Sequence, residues 1–75
     1  MSVLADVSGP AAIKAFRRVG WIVQRQSGSH VVLAKEGVRE LIVIPVHRGR
    51  ALKRGLLLAA IRAAGLTPEE FLELL

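Results

Sequence analysis

Hydrophobic and polar positions change period twice along this chain, and the changes mark its elements. From Ser8 the apolar residues Ala12, Ile13, Phe16 and Val19 recur at helical spacing, while Lys14, Arg17 and Arg18 point away. Ser8 can cap the free N–H groups of a first helix, Pro10 suits its first turn, and Gly20 can supply the left-handed residue that ends it. After Gly20 the sequence turns to β-formers. Trp21 to Gln26 predicts a first strand, Ser27-Gly28-Ser29 a turn, and His30 to Lys35 a second strand. Lys35 to Val38 reads as another tight turn and Arg39 to Val46 as a third strand. Helical spacing returns from about Arg54 to Ala64, with Leu57, Leu58 and Ile61 facing the core and Gly65 closing the helix. Thr67 followed by Pro68 and, three residues on, Glu70 carries the signature of a capping box for a short final helix. Phe71, Leu74 and Leu75 are expected to pack back on the domain or on a partner.

The predicted fold is α+β, in the order α-β-β-β-α plus a short C-terminal helix. Short connections make the three strands an antiparallel sheet, with the helices on one face. This is the order of the double-stranded RNA-binding fold, shared with other small α+β domains, and order alone assigns no function. The third strand breaks the usual rule of a polar outer face. Ile42 and Ile44 lie on one side and Leu41 and Val43 on the other. Either loops or terminal residues cover the second apolar face, or it meets a partner or a second copy of the chain.

Seventy-five residues make one domain, residues 1–75. With 52% hydrophobic residues but only Phe16, Trp21 and Phe71 as aromatics, the core is expected to be aliphatic. Cysteine is absent, which excludes a disulfide scaffold and a thiolate zinc site and fits a reducing cytoplasm. Met1 to Asp6 shows no basic stretch leading into a long apolar run, so no secretory leader is expected, and no uninterrupted apolar run is long enough for a membrane span. Charge sharpens the picture further. The formal net charge is +5, yet all eleven Lys and Arg lie between Lys14 and Arg62, and half the acids are Glu69, Glu70 and Glu73. Such an imbalance favours polyanions, RNA or DNA above all, or a basic face matched to an acidic protein.

The candidate chemistry centres on Gly28-Ser29-His30. Gly28 and Ser29 build the turn, and His30 opens the second strand among cations. Histidine is the side chain best suited to moving protons near neutral pH. His30 is then either a solvated turn residue or a general acid/base. RNA cleavage without a metal needs a base for the 2′-hydroxyl proton, an acid for the leaving 5′-oxygen, and cations for the charge that builds on phosphorus. Arg25, Arg48, Arg50 and Lys53 are the candidates for phosphate contacts, aided by free N–H groups at the start of the second helix. His47, the one other histidine, closes the third strand beside this basic stretch. Two histidines with only Glu36 and Glu40 nearby make a poor metal-ligand set, so neither a metal nor another cofactor is implied. Ser27 and Ser29 lack an oriented acid–histidine pair, and turn formation suffices for them. A non-catalytic RNA-binding module of the same fold is the alternative to an enzyme.

Taken together, these segments resemble one family. Ser8-Gly9, Gly20-Trp21 through Arg25-Gln26, and Gly28-Ser29-His30 with its apolar strand fall in order and at family spacing. So do Ile44-Pro45-Val46-His47, Leu52-Lys53-x-Gly55, Ile61 through Ala64-Gly65-Leu66, and Thr67 to Phe71. The run from Ser8 to Phe71 is similar to the HicA (YcfA-like) toxins. The resemblance implies the toxin of a type II toxin–antitoxin system with a double-stranded RNA-binding-like fold. It further implies a ribosome-independent mRNA interferase, with mRNA as substrate and a HicB-type antitoxin as partner. The family's catalytic histidine falls on His30 and its second histidine position on His47. One departure is Arg54, where family members usually carry proline between Lys53 and Gly55.

Overall fold

The computed structural model describes residues 4–75, so the reading of the first three residues lies outside it. The chain folds as α1 (Gly9–Arg17), β1 (Ile22–Ser27), β2 (His30–Ala34), β3 (Ile42–Pro45), α2 (Arg54–Ala63) and α3 (Pro68–Leu74). The strands form one antiparallel sheet in the order β1-β2-β3. The expected α+β architecture is the observed one.

Directly opposed residues of antiparallel strands share a face, so the register sorts the sheet into two sides. Val31, Leu33, Ile42 and Ile44 face inward and form the core with Phe16, Trp21, Leu57, Ile61 and Phe71. All three helices lie on this side, and α3 packs on α1 and α2 rather than across the outer face. The outer side keeps Ile22, Leu41 and Val43 open, at 61%, 46% and 46% exposure. Of the two readings of the apolar third strand, cover by loops or by the C-terminus therefore fails among the described residues.

Four details depart from the sequence reading. The core is not purely aliphatic: Trp21, Phe16 and Phe71 are its largest fully buried side chains, and the two phenylalanine rings sit 5.1 Å apart at 45°. A few wide rings span the gap between helices and sheet that many aliphatic side chains would be needed to fill. Trp21 precedes β1 instead of opening it; its backbone N–H donates to the Phe16 carbonyl, which closes the end of α1 and turns the ring into the core. Leu75 stays 51% exposed instead of packing back, while Phe71 and Leu74 pack as expected. The third strand is four residues, not eight. The turn closed by the Val38 N–H on the Lys35 carbonyl would pair Leu33 with Glu40, yet Leu33 pairs with Ile42. Arg39, Glu40 and Leu41 take up that offset outside the ladder.

Candidate functional site

His30 stands at the head of the central strand, on the open face of the sheet. A two-residue connection, Gly28-Ser29, joins β1 to β2. Gly28 has φ +59, the left-handed value required at the first central position of a tight II′ hairpin turn, where glycine is the residue without penalty. The Gln26 Nε2 donates to the Gly28 carbonyl at 3.1 Å and braces the turn from within the hairpin. Both expected turn residues are therefore in the turn, and His30 is the first residue after it, exposed.

Two neighbours of His30 follow from register. On one side it pairs with Ser27, which makes Arg25 its diagonal neighbour on the same face; such diagonals lie about 7–8 Å apart, within reach of a long side chain. The turn register fixes Arg25 on that face, and a bulge follows it on the far side from the turn. Ile22 and Val23 pair with Ala34 and Leu33, Arg25 with Val32, and Gln24 is the extra residue between them. An unbroken ladder would set Gln24 opposite Leu33 and turn Val23 away from the core; the bulge points Val23 inward and leaves Arg25 outward. The row Arg25–Val32–Val43 shields Val32 to 4% exposure although it lies outside the core cluster.

On the other side His30 pairs with Pro45. The ladder extends one step further, because the Val46 N–H donates to the Ser29 carbonyl at 2.6 Å. His47 therefore follows two residues after the direct partner of His30, so both histidines sit at the same end of the sheet. The basic stretch beyond it is a tied turn rather than an open loop. The Arg50 N–H closes on the His47 carbonyl, the Leu52 N–H donates to the Val7 carbonyl at 2.7 Å, and Ser8 bridges Ala51. Pro45, His47, Arg50, Lys53 and Leu56 line one cleft of about 360 Å³. Of the expected phosphate ligands, Arg50 and Lys53 thus meet His47 there. Arg25 stands diagonal to His30 on β1, and Arg48 lies in the turn and does not line that cleft.

Lys53 also occupies the N-cap of α2, where no side chain accepts from the first-turn N–H groups and no acid lies in the first turn. Lys53 and Arg54 stand beside those uncapped donors, an arrangement suited to an anion. No group of three or more His, Asp or Glu side chains comes together among the described residues.

Sequence reasoning missed one support of this site and the bulge beside it. Gly9, the first residue of α1, approaches the end of β3 so closely that a Cβ there would lie 2.7 Å from the Pro45 carbonyl oxygen. A glycine inside a helix start, where alanine would serve better, was the available signal. The Gln24 bulge had no comparable sign, since its residues all suit a regular strand.

The sequence matches the family model described as the HicA toxin of bacterial toxin–antitoxin over residues 9–66. The chain belongs to the HicA toxin family. A comparison with curated proteins finds no match. The matched span runs from the close-packed Gly9 to Leu66, just past α2, and so holds both histidines, the basic turn and every strand. It is narrower than the resemblance from Ser8 to Phe71 and leaves out the whole of α3. As a HicA toxin the chain is one half of a toxin–antitoxin pair, and no helix among its described residues is long and apolar enough to cross a membrane.

Proposed function

We propose that this HicA chain acts as a single-domain endoribonuclease in the cytoplasm, cleaving mRNA without a metal ion until a HicB-type antitoxin neutralises it. The observation that carries this reading is the setting of His30: exposed, at the head of the central strand, with Arg25 diagonal to it and the His47–Lys53 cleft beyond its partner Pro45. In this mechanism the 2′-oxygen attacks the adjacent phosphorus. The new O–P bond forms as the bond to the 5′-oxygen breaks, leaving a 2′,3′-cyclic phosphate and a 5′-hydroxyl. One group takes the 2′-hydroxyl proton and one gives a proton to the 5′-oxygen. His30 fills one of these roles, worth about 10²–10⁴ in rate, and His47 is the candidate for the other or for an RNA contact. Arg25, Arg48, Arg50 and Lys53 hold phosphates and offset the negative charge of the transition state.

The same surface suits an antitoxin. Acidic groups would complement these cations, and the open side chains of Ile22, Leu41 and Val43 add apolar area beside them. Incubating a transcript with purified protein in EDTA tests the enzyme reading. Cleavage by the wild type, its loss in His30→Ala, and relief of growth arrest by the same substitution are expected. Salt-sensitive RNA binding with no products would instead mark a non-catalytic RNA-binding module of this fold.

A further inference from the structure

We propose that the groove between α1 and β1 is a second RNA subsite, which seats one unpaired base and its neighbouring phosphates beside the bond cut at His30; it rests on the ribonuclease reading above. The groove is a cleft of about 530 Å³, walled on the helix by Pro10, Ile13, Lys14 and Arg17 and on the strand by Val23 and Gln26. Its volume falls in the range that holds small organic groups.

Lys14 and Arg17 stand one turn apart, on a helix without a single carboxylate. Beside them Ile13 and Val23 make an apolar floor, and Val23 is left 44% exposed on the core side of the sheet by the β1 bulge. Cations next to an apolar floor match the alternation of phosphate and base along a single strand. Gln26 adds a polar group at the floor's edge. Its amide nitrogen is engaged with the Gly28 carbonyl, which leaves the amide oxygen to accept from a base.

The groove also leads to the right place. Gln26 runs directly into the Ser27–His30 turn. At the same end, Val46 lines the cleft, donates to Ser29 and precedes His47. A strand seated there reaches the end of the sheet at which both histidine-bearing segments lie, and passes round that end to the open face that carries His30. An acidic peptide could satisfy the cations, but it has no need of an apolar floor at the histidine end of the sheet.

The test measures binding of a fluorescent single-stranded RNA to the cleavage-silent His30→Ala protein, with and without Lys14→Ala and Arg17→Ala together. Both side chains project from the surface, and a circular dichroism melt checks the fold. Loss of two phosphate contacts should lower the slope of log affinity against log salt by about 1.4, so that between about 50 and about 200 mM salt the parent loses roughly sevenfold more affinity than the variant. An unchanged affinity and slope would overturn the proposal. So would a variant that binds RNA normally but no longer binds the antitoxin, which would make the groove a protein-docking surface. If RNA binding depends on Lys14 and Arg17 while the wild type cleaves nothing, the subsite stands and the ribonuclease reading fails.

Discussion

Two helix starts in this protein, those of α2 and α3, treat the same physical problem in opposite ways. At α3 the Thr67 Oγ1 accepts from the Glu70 N–H at 3.1 Å, and the Glu70 Oε1 accepts from the Thr67 N–H at 2.8 Å. Pro68 removes a further donor, and Glu69 and Glu70 set negative charge against the positive end of the helix. At α2 the cap is Lys53, no side chain closes the donors, and Arg54 follows. One start is sealed by its own residues and serves stability. The other gathers positive charge beside His47 with no acid in its first turn to offset it. A helix start that forgoes about 1 kcal/mol of capping is understandable where phosphate is the ligand.

Exchanging the two solutions should break this contrast, and the largest effect is expected at Lys53. Lys53→Asp supplies an N-cap acceptor and an acid to α2, so the protein should gain roughly 0.5–1 kcal/mol in denaturant unfolding. RNA affinity should fall about 10- to 100-fold with the lost charged contact and the new repulsion. Stability and affinity that change in the same direction would sink the comparison. At the sealed start, Thr67→Ala should cost about 1 kcal/mol in the same unfolding experiment, while leaving RNA affinity unchanged. The smallest effect is expected for Arg54→Pro, which introduces the proline that the resemblance to HicA toxins implies at this position. Arg54 is the first residue of α2, and Lys53 already has φ −65 and ψ 140, the extended geometry required before proline. Thermal or denaturant melts should show a gain of about 0.5 kcal/mol, with RNA affinity lower by no more than one phosphate contact. A destabilised Arg54→Pro would mean that the N–H of Arg54 is needed within the fold.

Much of this arrangement is legible in the residues, because local chemistry dictates it. Gly28-Ser29 between two β-rich runs can hardly be anything but a hairpin turn, and Thr67-Pro68-Glu69-Glu70 specifies its own cap. The apolar character of the outer face was legible too, since Leu41 and Val43 alternate with Ile42 and Ile44, but not that it stays uncovered. What could not be read depends on long-range register. The length of β3 is set by a mismatch between the turn at Lys35–Val38 and the ladder that pairs Leu33 with Ile42, and neither segment records it alone. Val23 faces inward only because Gln24 bulges. The nearness of His47 to His30 depends on the pairing of His30 with Pro45 and on the Val46–Ser29 bond. Both histidines are visible in the sequence, but their meeting at one end of the sheet is a property of the ladder.

The most direct test of His30 as the proton-transfer group is single-turnover cleavage of an end-labelled RNA in EDTA, comparing wild type with His30→Ala and identifying the product ends. The expected result is wild-type cleavage to 2′,3′-cyclic phosphate and 5′-hydroxyl ends, slowed at least about 100-fold in a His30→Ala protein that still binds the RNA. Equal rates for the two proteins, or 5′-phosphate ends from the wild type, would contradict it.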